Sequence, residues 1–107
     1  MIDLREQDRI AICTLAEQHF PSGTEIWAYG SRVKGTNYDA SDLNLIVHTA
    51  EEHRIKVSSF DTALRDSNIP IFVRPLDWQS IPEYFRTNIL QCYEVLWTAP
   101  SSHLVGE

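Results

Sequence analysis

Several residue types are scarce in this chain of 107 residues, and each scarcity argues against a class of protein. Its two cysteines, Cys13 and Cys92, are too few for the disulfide scaffold of a small secreted domain, and their apolar neighbours predict reduced, buried thiols. Lysine and arginine number 9 against 15 acidic residues, and the net charge of −6 disfavours direct binding of DNA or RNA. No apolar run approaches the ~20 residues of a membrane helix, and early charges interrupt any secretion signal, so a cytoplasmic protein is expected.

What is present is a pattern in which helical and strand-like segments alternate. Apolar spacing predicts helices over residues 4–19 and 51–66, a capping pattern starts another over 80–90, and residues 31–34 could open a short helix after Gly30. Short β-branched or aromatic runs predict strands over 25–29, 43–48 and 69–74. Residues 93–97 fit either a further strand or the end of the last helix. Together these segments predict one α/β domain over residues 1–97, followed by a flexible tail over residues 98–107.

A few residues mark the expected boundaries of these elements. Asp3 with Glu6, and Ser80 with Glu83, match the pattern of a helix capping box. Pro75 is expected to end the third strand.

Two polar features stand at the ends of the first two strands. Gly30 and Ser31 follow the first strand, where free backbone N–H groups at the start of a helix would attract phosphate. Asp42 and Asn44 are two residues apart on the second strand and therefore face the same side, a spacing at which two carboxylates can share divalent metal ions. Each feature also has a plainer interpretation, as a turn at Gly30, a strand-start residue at Asp42 and a solvent-facing amide at Asn44.

Longer segments around these residues resemble the minimal nucleotidyltransferases, small members of the DNA polymerase β-like superfamily. The resemblance is carried by IWAYGSRVKG, SDLNLIV, IPIFVRPLDW and SIPEYFRTNIL, and it spans about Glu25 to Trp97. It implies a nucleotidyltransferase fold, with a small mixed β-sheet flanked by helices, and a site that uses ATP with Mg²⁺. It also implies a protein partner, because such proteins are often paired with a small helical HEPN-domain RNase in toxin–antitoxin modules.

The resemblance also implies which residues form the site. In the family, a Gly-Ser pair holds the triphosphate, two acids on the second strand bind Mg²⁺, and a third acid on a neighbouring strand completes the site. The corresponding positions are Gly30 and Ser31, with Arg32 beside them, for the nucleotide, Asp42 and Asn44 for the metal, and Asp42, Asn44 and Arg74 for catalysis.

Two of these positions depart from the family pattern. Asn44 offers only a neutral oxygen and Arg74 a fixed cation, so the charge of Asp42 is cancelled where three carboxylates would hold two Mg²⁺ ions. Asp39 or Asp77 could replace a missing acid. Arg74 could instead pair with Asp42, grip a phosphate without metal, or be a surface arginine with no role.

Three functions are consistent with the sequence. The first is an antitoxin-like partner of a HEPN RNase, with nucleotidyl transfer weak or lost. The second is an active Mg²⁺-dependent enzyme that moves AMP from ATP to a protein hydroxyl. The third is a nucleotide-binding sensor. The acidic charge and the departures at Asn44 and Arg74 favour the first function.

Neither a membrane nor a nucleic acid is an expected partner. His48 is expected at the surface, and the three tryptophans are expected in the core.

Overall fold

The computed structural model describes residues 2–100, in which helices and strands alternate as predicted. The α-helices of this part are α1 Glu6–His19, α2 Ser31–Lys34, α3 Lys56–Arg65 and α4 Glu83–Gln91. The strands are β1 Glu25–Tyr29, β2 Leu43–His48, β3 Val73–Asp77 and β4 Tyr93–Thr98. Short 3₁₀ turns at Glu51–His53 and Trp78–Ser80 precede α3 and α4. None of the described helices has the length and apolar character needed to cross a membrane.

The strands form one mixed sheet in the order β3-β2-β1-β4, which confirms the sheet that the family resemblance implied. β1 runs antiparallel to β2 and β4, whereas β2 and β3 are parallel. Because strand side chains alternate between the two faces, each face has its own cluster. One face contributes Ile26, Leu45 and Val47 to the main core, together with residues of α1 and α3. The other contributes Ile46 to a smaller cluster with Ile89 of α4.

The first helix begins later than its apolar pattern predicted. α1 starts at Glu6, with Arg5 as the N-cap and no side-chain cap, so the predicted capping box of Asp3 and Glu6 is wrong. Arg5 instead donates Nε and Nη2 to the carboxylate of Asp8, at 2.9 and 3.1 Å. The backbone N–H of Asp3 donates to the carbonyl of Arg32, which ties the N-terminal segment to α2.

The helix predicted over residues 51–66 is divided into two parts. Glu51–His53 forms a 3₁₀ turn, and α3 starts only at Lys56. Arg54 lies at the junction, where its Nε donates to Asp77 of β3 at 2.6 Å and its Nη1 donates to Glu51 at 3.2 Å. The junction therefore joins this segment to the edge of the sheet.

The third strand starts four residues and ends three residues later than predicted. β3 is Val73–Asp77 rather than residues 69–74, and Pro75 lies inside it, opposite Leu45 of β2. The expectation that Pro75 ends the strand is therefore wrong. Because β3 is at the edge of the sheet, the missing N–H of Pro75 can face outward, where no strand needs it.

The last helix also starts later than expected, and the segment after it is a strand. Ser80 belongs to a 3₁₀ turn and donates its hydroxyl to the carbonyl of Asp77, while α4 begins at Glu83 with Pro82 as N-cap; the predicted capping box is wrong. Residues 93–97 are part of β4, which continues to Thr98. The N–H of Ala99 then donates to Thr24, so the fold extends past residue 97. Residues 101–107 of the predicted tail lie outside the described residues.

The cysteines and tryptophans are less buried than expected. Cys13 and Cys92 are both free thiols, as predicted, but each is only partly buried. Trp97 belongs to the main core, whereas Trp27 and Trp78 are partly buried beside the smaller cluster.

Candidate functional site

The pairing of β1 with β2 brings the glycine-serine turn next to the second strand. Tyr29, the last residue of β1, is paired with Asn44 of β2. Gly30 follows with φ 92° and ψ −156°, a conformation that is essentially restricted to glycine. A Cβ atom at Gly30 would lie 2.8 Å from Nδ2 of Asn44. Gly30 therefore provides both the backbone conformation and the space that this close approach needs.

The pairing of β2 with β3 places Arg74 at the same level of the sheet. Arg74 is directly opposite Asn44 in the register of the two strands. Nη1 of Arg74 lies 3.7 Å from Oδ2 of Asp42, with 57% and 42% of the two side chains exposed. The guanidinium carbon of Arg74 also lies 5.3 Å from the ring centre of Phe72. The ion pair that the sequence suggested is thus formed, in an open and solvent-screened setting.

Sequence reasoning missed a tyrosine on the same face of the sheet. Tyr29 shares this face with Asn44, because residues paired across neighbouring strands point the same way. Its ring packs edge-on against Phe85 of α4, with centroids 5.8 Å apart. Burial raises the pKa of the Tyr29 hydroxyl, and the nearby charge of Arg74 acts in the opposite direction. Tyr29 therefore stays protonated and forms an aromatic wall beside Asn44.

Arg32 has a structural environment that the sequence did not reveal. Only 6% of the residue is exposed. Its guanidinium donates to the carbonyls of Ser41 at 2.9 Å, Asp3 at 2.9 Å and Asp39 at 2.7 Å. These contacts hold the segment between α2 and β2, rather than leaving the charge solvated. The predicted role of Arg32 in nucleotide binding stays a prediction.

Of the two acids considered as replacements, Asp77 is engaged elsewhere in the fold and Asp39 lines a different cleft. The Asp77 carboxylate accepts from Nε of Arg54 at 2.6 Å and from the N–H of Gln79 at 3.0 Å. Asp77 also lies three positions beyond Arg74 along β3, opposite Val47. Asp39 lines a cleft of about 540 Å³ whose described lining includes Asp3, Arg5 and Asp8 but neither Asp42 nor Arg74.

The donor atoms of the site are poor ligands for Mg²⁺. Among residues 2–100, no group of three or more His, Cys, Asp or Glu side chains is arranged to hold a metal ion. Mg²⁺ relies on carboxylates and dehydrates reluctantly, and this site offers one carboxylate at Asp42 and one neutral amide at Asn44. The cation of Arg74 stands where a further negative charge would be required. The residues present do not fit a magnesium pair.

A second feature on this face is an aromatic stack around His48. The His48 ring packs against both Trp27 and Trp78, with centroids 3.9 and 4.5 Å away, and its Nε2 is buried without a hydrogen-bond partner. Burial lowers the pKa of His48; Glu25 counters this shift and Arg86 reinforces it. His48 is therefore partly buried at the surface, because the two indole rings cover part of its ring.

Comparisons with known proteins identify similar sequences and similar folds. No protein-family model matches the chain. The chain is 32% identical over 96 residues to a probable protein adenylyltransferase, MntA, of Haemophilus influenzae, and the match covers 89% of this chain and 83% of that protein. A toxin–antitoxin complex solved with AMP-PNP superposes with a TM-score of 0.60 at 20% identity, covering 89% of this chain and 75% of the other. A mutant toxin–antitoxin complex, MntA-HpeT, also gives 0.60 at 20% identity, with 85% and 73% covered. At this identity the two structures establish the shared fold.

Proposed function

This chain belongs to the minimal nucleotidyltransferase family, and from that premise we propose that it is an antitoxin that binds and neutralises a HEPN-domain RNase, with nucleotidyl transfer weak or lost. Support for the antitoxin role comes from its relatives. One is a probable protein adenylyltransferase, and two structures with the same fold are toxin–antitoxin complexes. The observation that carries the second half of the proposal is Arg74, which stands opposite Asn44 and pairs with Asp42.

The chemistry of AMP transfer explains why Arg74 matters. A protein hydroxyl oxygen would attack the α-phosphorus of ATP, the new P–O bond would form as the bond to the β-phosphate breaks, and pyrophosphate would leave. The hydroxyl proton must go to a base. Arginine cannot act as that base, because it stays protonated in proteins. Asn44 carries no charge and cannot take the proton either. Asp42 is therefore the one candidate base among the three family positions, because it alone is a carboxylate.

Binding of a toxin partner does not require catalysis; it requires a stable surface of suitable charge. Its net charge of −6 favours fast association with a basic protein such as an RNase. An ion pair between Arg74 and Asp42 also removes the repulsion that clustered acids would create without metal. The fold can thus be stable at this edge in the absence of Mg²⁺.

A co-expression experiment tests the proposal. A small helical HEPN RNase is expressed with this chain, or with its Asp42→Asn variant, and bacterial growth is followed. We expect both versions to restore growth and the toxin to keep its unmodified mass. A toxin that gains the mass of AMP, together with failure of Asp42→Asn to restore growth, would overturn the proposal and establish the active enzyme.

A nucleotide-binding sensor is a second candidate, and the exposed guanidinium of Arg74 favours it. Arginine can bind phosphate oxygens bidentately without metal. Calorimetric titration of ATP in Mg²⁺ and in EDTA distinguishes the possibilities. Binding in EDTA that disappears in Arg74→Met supports sensing, whereas binding that requires Mg²⁺ contradicts the loss of the metal site. No binding in either buffer removes the sensor and leaves the antitoxin role.

A further inference from the structure

The loop between α2 and β2 carries the most exposed of the large apolar side chains in the described part of the chain. Tyr38 is 82% exposed. An exposed tyrosine at the end of a mobile loop would have no special meaning, because the ring would be free to move. The loop of Tyr38 is held in place by hydrogen bonds from Arg32 and by hydrogen bonds within the loop.

The buried guanidinium of Arg32 holds the backbone of this loop. Arg32, 6% exposed, donates Nη2 to the carbonyls of Tyr38 and Asp39 at 3.3 and 2.7 Å, and Nε to that of Ser41 at 2.9 Å. The loop is also closed on itself, since Tyr38 N–H donates to the Ser41 hydroxyl at 2.8 Å and Ser41 N–H donates to the Tyr38 carbonyl at 3.0 Å. Moving these carbonyls away would leave a buried charge without partners, which is costly, so the loop backbone is preorganised.

The surroundings of Tyr38 are acidic and adjoin the candidate site. Asp39 is exposed, and 67% of the Asp3 side chain and 42% of the Asp42 side chain are accessible to solvent. The side chain of Asn37 donates to the Asp3 carboxylate at 2.7 Å, which places Asp3 beside the loop. Asp42 follows Tyr38 by four residues in the sequence, at the point where the loop leads into β2, and its carboxylate pairs with Arg74.

We propose that Tyr38 is the anchor with which this chain grips its protein partner. Its ring enters an apolar pocket on the partner surface, and basic side chains around that pocket face Asp39 and Asp42. Aromatic residues on rigid loops suit this role, because they bury a large area and lose little conformational freedom on binding. The inference rests on the proposed antitoxin function and adds the residue and the partner chemistry through which the contact is made.

Interferometry with immobilised HEPN partner, in a catalytically inactive form, tests the anchor. Tyr38→Ala is expected to raise the dissociation constant about thirtyfold, the size typical of an interface hot spot, mainly by faster dissociation. Tyr38→Phe keeps the ring and should stay within about threefold of the wild type. Tyr84→Ala removes an equally large side chain, 72% exposed on α4, and is expected to change nothing. Melting temperatures verify that all three variants fold.

Two further variants separate the contributions of loop rigidity and charge. Ser41→Ala removes one loop-closing hydrogen bond and should weaken binding about threefold without touching the ring. Asp39→Asn should slow association at low salt and match the wild type at high salt, because charge steering is screened by ions.

The outcomes distinguish this inference from the proposed function. If the wild type does not bind the HEPN partner, the antitoxin proposal fails and the anchor fails with it. If the wild type binds and Tyr38→Ala binds equally well, the anchor alone is overturned. If Tyr38→Ala loses ATP binding while its affinity for the partner is kept, the ring stacks on a nucleobase and the anchor is likewise overturned.

Discussion

Substitution of Gly30 by alanine tests the geometry of the candidate site most directly. The conformation of Gly30, φ 92° and ψ −156°, costs a residue with a Cβ atom about 1–3 kcal/mol. The new methyl group would lie 2.8 Å from Nδ2 of Asn44, which must rotate away at a cost of about 1 kcal/mol. We therefore expect Gly30→Ala to lower the free energy of unfolding by about 2–4 kcal/mol.

Urea unfolding with a matched control measures this cost. Gly35 also has a positive φ, 82°, but a Cβ atom there would have no neighbour within 4 Å. Gly35→Ala should therefore lose only the backbone part, about 1–2 kcal/mol. Adding Asn44→Ala to Gly30→Ala should recover about 1 kcal/mol, while the same change in the Gly35→Ala background should recover nothing. Equal losses for the two glycine variants, or no recovery, would refute the close packing of Asn44 on Gly30.

Three further predictions concern other residues of the fold. Asn44→Asp combined with Arg74→Asp should create Mg²⁺ binding that calorimetry detects, and the wild type should show none. Burial lowers the pKa of His48 below its usual 6.5, so the unfolded chain takes up this proton first and stability should fall as the pH drops below about 6.5. His48→Phe should show a smaller fall in melting temperature between pH 7.5 and 5.5. Arg32→Met should lower the free energy of unfolding by at least about 3 kcal/mol in urea, because several carbonyls lose their donor.

Local sequence signals predicted the parts of the fold that depend on local chemistry. β1 and β2 are short apolar runs bounded by Gly30 and by the polar segment before Leu43, and both strands match their predicted residues. The short helix that could open at Ser31, after Gly30, is present as α2. In each case the residues that set the boundary are neighbours in sequence, so no knowledge of the tertiary structure was needed.

The errors arise where distant residues decide the local structure. Pro75 is tolerated within β3 only because that strand is at the edge of the sheet, and the sequence alone does not give the strand order. Asp3 does not cap α1, because its backbone and side chain contact Arg32 and Asn37 instead. The partial burial of His48 likewise depends on Trp27 and Trp78, which come from two other parts of the chain.

The candidate site was predicted through the family resemblance rather than through local pattern. The motifs assigned Asn44 and Arg74 to two different acid positions of the family, and the strand register puts these two residues opposite each other. The ion pair of Arg74 with Asp42 was one of several possibilities that the sequence left open. The roles of these residues in binding and catalysis stay predictions. The burial of Arg32 could not be foreseen, because its partners are backbone carbonyls, which leave no trace in the sequence.

Pro75 has a further consequence for how this protein meets other chains. An exposed edge strand is a template on which a foreign strand can add by backbone hydrogen bonding, and it is a common starting point for aggregation. A proline in the middle of β3 interrupts the row of outward N–H donors that such an addition needs. At the opposite edge, an irregularity in the register of β4 twists the strand and has a similar protective effect. A protein with two guarded edges can stay monomeric at high concentration and keep its loops and side chains for recognition of the correct partner.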